Sequence, residues 1–179
     1  MLHIRKSIRL KNWDYGGKAM YFVTIDIENK KRILGEVKNG IMELSEIGMM
    51  VEKVIIGFPN YFLLELGKFI VMPDHIHLII GMGWDGVGAD FNIRPGIGMG
   101  REWNPARTAI SLGELVGRFK IFSTNQYIKG VKEKNWPRFD KRLWQRNYYE
   151  RIIRNKSDLL RVERYIMENP VNFGKIKDV

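Results

Sequence analysis

Residues 69–83, FIVMPDHIHLIIGMG, constrain the fold of this chain more than any other stretch. The runs KFIVM and HIHLII are short, apolar and rich in β-branched residues, and only Pro73-Asp74 separates them. Such a pair favours a turn, so the segment predicts two strands joined as a hairpin. The remaining residues must supply neighbours for these strands and cover for their apolar faces.

A further strand is predicted at AMYFVTIDI, Ala19 to Ile27, bounded by Gly-Gly and by ENKK. In GEVKNGIMEL the pair Asn39-Gly40 lies between two short alternating runs. Both residues tolerate the positive φ of a type I′ turn, which predicts a small hairpin. From Ser45 the residues Ile47, Met50, Val51, Val54 and Ile55 recur at helical spacing, and Pro59 supplies a stop. Ser111 with Glu114 forms a capping box for a second helix with the stripe Leu112, Leu115, Val116, Phe119 and Phe122, running to about Lys129. Trp144 to Ile153 is strand-like in composition. Ser157 can cap a last helix with Leu159, Val162 and Ile166 on one side, ending at Asn169-Pro170. A glycine-rich loop without apolar period separates the hairpin from the second helix, at about residues 81–107. This order predicts one α+β domain over residues 1–179, with a mainly antiparallel sheet and helices packed mainly on one face.

Side chains two apart on a strand share a face, so His75 and His77 can offer imidazole nitrogens to one point. They form either half of a metal site or an inert, hydrogen-bonded pair. Tyr165 and Asn169 stand at i and i+4 on the last helix. Asn169 could give a metal an amide oxygen beside the Tyr165 phenol, or the pair could be a packed ring and a helix stop. GMGWDG, residues 81–86, matches a dinucleotide-binding pattern, but no helical period follows it. That site is rejected.

The chain has no cysteine, which excludes disulfides, thiolate metal sites and a Cys nucleophile. Its formal charge of +10 favours a polyanionic partner, nucleic acid above all. The cations concentrate at Arg138, Lys141, Arg142, Arg146, Arg151, Arg154 and Lys156, interleaved with Trp144, Tyr148 and Tyr149. Charge with stacking rings suits a single-stranded nucleic acid groove. Arg118 and Lys120 on the second helix are counted with these DNA-binding candidates. The N-terminal run Arg5, Lys6, Arg9, Lys11 and Lys18 either extends this surface or is a tail. No segment has the length of a membrane span, so the chain reads as soluble and cytoplasmic, with nucleoid association expected of a DNA-binding protein.

VMPDHIHLII resembles the metal-binding HUH motif (His, hydrophobic, His) of the IS200-type single-tyrosine transposases, especially their REP-associated tyrosine transposase branch. SLGELVGRFK, WQRNYYERIIRN and RYIMENPVNFGK resemble three further segments of that family in the same order, so the likeness spans roughly Lys6 to Gly174. The resemblance implies a ferredoxin-like antiparallel sheet, the HUH endonuclease fold, with His75 and His77 on a central strand. It implies Tyr165 as nucleophile, and His75, His77 and Asn169 as ligands of Mg²⁺ or Mn²⁺. The expected reaction cleaves and rejoins single-stranded or hairpin DNA, REP-like or at element ends, through a 5′-phosphotyrosine. The expected state is a monomer or homodimer. Two other readings compete: a non-catalytic hairpin DNA- or RNA-binding protein, and a hydrolytic metal-dependent nuclease.

Overall fold

A computed structural model describes residues 18–83 and 110–174. The N-terminal cations Arg5 to Lys11 and nearly all of the glycine-rich segment lie outside the described residues. Strands β1 (Ala19–Asp26), β4 (Leu64–Val71), β5 (His75–Met82) and β6 (Tyr149–Ile153) form a sheet in the order β4-β5-β1-β6, every neighbouring pair antiparallel. A separate hairpin joins β2 (Gly35–Lys38) to β3 (Ile41–Leu44). Its turn residues Asn39 and Gly40 have φ of 51° and 76°, as the sequence predicts.

The helices are α1 (Glu46–Gly57), α2 (Leu112–Glu133) and α3 (Lys156–Asn172). Period-two alternation divides their packing between the two faces of the sheet. Tyr21, Val23 and Ile25 of β1 and Ile76, Leu78 and Ile80 of β5 meet α1 through Val51 and Ile55, and α2 through Leu115, Val116 and Phe119. Each such side chain contributes about 1.5–3 kcal/mol on full burial. Helix α3 lays Leu159, Val162 and Ile166 on the other face, against Ile79 and Ile153. The α+β antiparallel architecture is thus as expected, with two helices behind the sheet and one in front. Among the described residues no helix is long and apolar enough to cross a membrane.

Several boundaries differ from the sequence reading. Asn155, rather than Ser157, caps α3, its side chain accepting from the Asp158 amide at 2.8 Å. The helix also continues past Asn169 to Asn172 with Pro170 inside it. Proline removes one amide donor, and so near the helix end only one turn loses a hydrogen bond. Helix α2 extends a turn beyond Lys129, where buried Tyr127 donates to the Pro137 carbonyl at 2.8 Å. Phe122 leaves the apolar stripe for the surface, stacked on Tyr61 at 6.2 Å between centroids. Only the second half of residues 144–153 is strand. Trp144 makes a single bridge to Ile27 and buries its indole, which donates to Ser123 Oγ at 2.8 Å.

Two glycines of α2 give a paired test. A methyl group at Gly117 meets open space, whereas one at Gly130 would enter the Trp136 ring. Gly117→Ala should raise unfolding stability by about 0.5–1 kcal/mol. Gly130→Ala should lower it by about 1–3 kcal/mol, both read from urea denaturation midpoints.

Candidate active site

The site begins with strand register. In the β1–β5 ladder Thr24 stands opposite His77 and Asp26 opposite His75, so these four side chains share the face that α3 covers. The two imidazoles converge, their Nε2 atoms 3.1 Å apart and their rings 4.6 Å apart. With metal–nitrogen bonds of about 2.1 Å, two ligands at right angles lie about 3 Å apart and a tetrahedral pair about 3.4 Å. The spacing therefore suits two nitrogens sharing one divalent ion.

The outer nitrogens are held as well. His75 Nδ1 lies 2.5 Å from the Asp74 carboxylate, and His77 Nδ1 lies 2.8 Å from Thr24 Oγ1. If each Nδ1 carries the proton and donates outward, both Nε2 lone pairs are left to a metal. The carboxylate of Asp74 thus reaches His75, although neighbours along a regular strand face opposite sides. The reason is local: β5 starts at His75, and Asp74 belongs to the preceding turn. That turn is clasped by the backbone, with Ile27 N–H donating to the Asp74 carbonyl at 2.8 Å and Leu34 N–H to the Pro73 carbonyl at 3.0 Å.

Electrostatics keep His77 in ligand form. His77 is 4% exposed. Burial, helped by His75 and Lys30, lowers its pKa to about 3, so its imidazole is neutral at physiological pH. Burial opposes ionisation of Asp74, but the bond to His75 and the charges of His75, Lys30 and Arg32 outweigh it and hold the carboxyl below its ordinary range.

Helix α3 brings the remaining candidates. The Tyr165 ring lies 5.3 Å from the His77 ring and 5.8 Å from Phe22, edge-on to both, and the residue is 44% exposed. Eight residues on, the Phe173 ring lies 6.4 Å from His75. Asn169 is midway, four residues from each and on the same helical face, and is only 9% exposed. The last turns of α3 and the residue that follows thus bring a phenol and a phenyl ring against the imidazole pair, with the buried Asn169 between them in sequence.

The cationic candidates divide. Arg138, Lys141, Arg142, Arg146, Arg151 and Arg154 are all exposed. Arg151 pairs with Phe22 in the ladder and lies on the His75 face, with its guanidinium 3.2 Å from Asp158, while Arg142 lies 3.4 Å from Glu28. Arg118 and Lys120 are on α2, behind the sheet. Arg118 lies over the Phe62 ring. Lys120 donates to the carbonyls of Gln145, Arg146 and Asn147 at 2.8, 3.2 and 3.0 Å, and burial lowers its pKa to about 8. Its ammonium therefore organises the segment that carries Arg146. Trp144 and Tyr148 are buried, whereas Tyr149 is exposed beside Thr24. Sequence reasoning missed Thr24, Lys30 and Arg32, because only the β1–β5 register and the clasped turn bring them to the histidines.

No protein-family model matches the chain. Over 171 residues it is 34% identical to an uncharacterized protein of Haemophilus influenzae, covering 95% of this chain and 90% of that one. Its fold is similar to that of a REP-associated tyrosine transposase solved bound to a REP hairpin. The TM-score is 0.59 and the identity 19%, over 95% of this chain and 76% of that one.

The low pKa of His77 has a stability consequence with a definite sign. Below about pH 6.5 the unfolded chain protonates this imidazole, and the folded chain does not until about pH 3. Its contribution is whole above pH 6.5, and stability falls as pH drops from there toward 3, by up to about 1.4 kcal/mol per pH unit. His77→Gln should show a shallower acid slope in urea denaturation between pH 6 and 4.

Proposed function

We propose that this chain, which belongs to the same family as the Haemophilus influenzae protein, is a single-tyrosine DNA transposase of the IS200 type, in the REP-associated branch. It would cleave and rejoin single-stranded or hairpin DNA through a 5′-phosphotyrosine. The observation that carries this reading is the arrival of Tyr165, from a helix distant in sequence, beside a convergent imidazole pair, 5.3 Å from His77. Similarity of fold to a transposase supports it, as does the formal charge of +10.

The residues fit a divalent ion. The Nε2 atoms converge at 3.1 Å, each imidazole is bonded at its outer nitrogen, and His77 stays neutral. Among the described residues no cluster of three or more His, Cys, Asp or Glu could hold a metal. The family resemblance makes Asn169 the third protein ligand, and its burial on the helix that carries Tyr165 supports that role. His75, His77 and Asn169 would hold Mg²⁺ or Mn²⁺, the latter more at ease with imidazole, and the ion would polarise the scissile phosphate and stabilise its growing negative charge.

The rest of the chemistry belongs to the chain. The Tyr165 oxygen attacks phosphorus, the bond from phosphorus to the 3′ oxygen breaks, and the phenolic proton passes to solvent while the 3′ oxygen takes one up. A phenol, with an ordinary pKa of about 10, is both a nucleophile and a workable leaving group, so a 3′-hydroxyl can reverse the step and join strands. Half-exposure leaves this ring open to a strand, and its edge-on packing against Phe22 and His77 fixes its direction. Exposed cations such as Arg146 would hold the strand.

Incubation of wild type with labelled hairpin DNA and Mn²⁺ should give a covalent protein–DNA adduct on a denaturing gel. Tyr165→Phe should bind the DNA and give none. Cleavage without any adduct would favour a hydrolytic nuclease, and binding indifferent to Mn²⁺ without cleavage would favour a non-catalytic binder. His75→Ala and His77→Ala should abolish metal-dependent nicking. Asp74→Asn should weaken Mn²⁺ binding by about 10–100-fold in calorimetric titration while leaving the fold intact.

A further inference from the structure

The flat groups around the imidazole pair form a row, and the row has a direction. Phe22 and Tyr165 adjoin His77, His75 follows at 4.6 Å, and Phe173 adjoins His75 at 6.4 Å. The row continues to Arg32, whose guanidinium carbon lies 5.1 Å from the centre of the Phe173 ring. Arg32 is exposed and Phe173 only partly buried, so the far end of the row is open to solvent.

Cations gather at the same end. Lys30 and Arg32 follow β1 in a short segment where Asn29 and Lys30 take left-handed φ of 57° and 51°. The Lys30 ammonium bonds the Asp26 carboxylate at 2.8 Å, and Asp26 is the ladder partner of His75. A ring, a stacked guanidinium and a neighbouring ammonium are the groups that take a nucleobase and its phosphate.

Displacement at phosphorus puts the attacking and leaving oxygens roughly in line, on opposite sides. Tyr165 approaches from the His77 side. The departing 3′ oxygen, and the nucleotide that owns it, must then lie toward His75, Phe173 and Arg32. The eight-residue separation of Tyr165 and Phe173 spans about 12 Å of helix, room for a phosphodiester and one sugar.

We propose that Phe173 and Arg32 form a stacking platform for the nucleotide immediately 5′ to the cut. This assignment rests on the transposase reading and deepens it. In the forward step the Tyr165 oxygen–phosphorus bond forms and the phosphorus–3′ oxygen bond breaks. The released 3′-hydroxyl stays beside the site because its base is held on the platform. In the reverse step that hydroxyl gives up its proton and attacks phosphorus, and the Tyr165 oxygen leaves and is protonated. The platform thus favours rejoining over loss of the strand.

The test uses a single-stranded oligonucleotide that ends in the 3′-hydroxyl and carries 2-aminopurine as its last base. Wild type should quench this fluorophore on binding, and Phe173→Ala and Arg32→Ala should each lose the quench and bind about tenfold more weakly. Both should rejoin strands more slowly while retaining thermal unfolding temperature, and Phe173→Ala should also retain Mn²⁺ affinity. Should Phe173→Ala not fold, Arg32→Lys serves in its place, keeping charge-driven binding but losing the quench. Unchanged quenching in Arg32→Ala, or quenching only when the fluorophore lies 3′ of the cut, overturns the platform while a Tyr165 adduct leaves the transposase reading standing. Absence of any adduct in wild type removes the reading itself.

Discussion

The pairing of β1 with β5 is the constraint on which the site depends. Because side chains alternate along both strands, one register puts Tyr21, Val23 and Ile25 with Ile76, Leu78 and Ile80 into the core behind the sheet. The same register puts Thr24 beside His77 and Asp26 beside His75 on the front. A slip of β5 by one residue would turn that strand over, moving Ile76, Leu78 and Ile80 to the front and the imidazoles into the core. Burial of the core therefore fixes the position of the polar groups, and the site gains its geometry from packing that never touches it.

Division of labour between the faces follows. Behind the sheet, α1 and α2 provide apolar cover. In front, α3 covers only part of the sheet, with Leu159, Val162 and Ile166 over Ile79 and Ile153, and leaves the histidine end to polar chemistry. The polar groups there are paired rather than stranded: Asp74 with His75, Thr24 with His77, Lys30 with Asp26. Such pairing is the condition under which groups of this kind are tolerated away from water.

Much of this was legible in the residues, for identifiable reasons. The hairpins, the capped α2 and the two-faced α3 follow from local signals: turn residues at positive φ, a Ser-x-x-Glu box, apolar period. His75 and His77 were visible as a pair because strand alternation is a local rule. Boundaries failed where tertiary contacts overrode local preference, as at Trp144, drawn out of a strand-like run to cap the core through Ser123. Asp74 lies one residue outside β5, so strand alternation says nothing of where its carboxylate points. Thr24 and Arg32 carry no local signal; their nearness to the histidines exists only once distant segments meet. Lys120 looked like any surface cation, and its three carbonyl partners lie 25 to 27 residues away in sequence.

The small hairpin of β2 and β3 stands apart from the main sheet, yet its turn bears on the end of α3. A methyl group on Gly40 would come within 3.3 Å of the Val171 side chain, two residues before Phe173. The hairpin is thus a buttress for the helix that spans the imidazoles. Bulk added at its tip would press on Val171 like a wedge under a beam, and the helix end that carries Phe173 would have to give by a few tenths of an ångström.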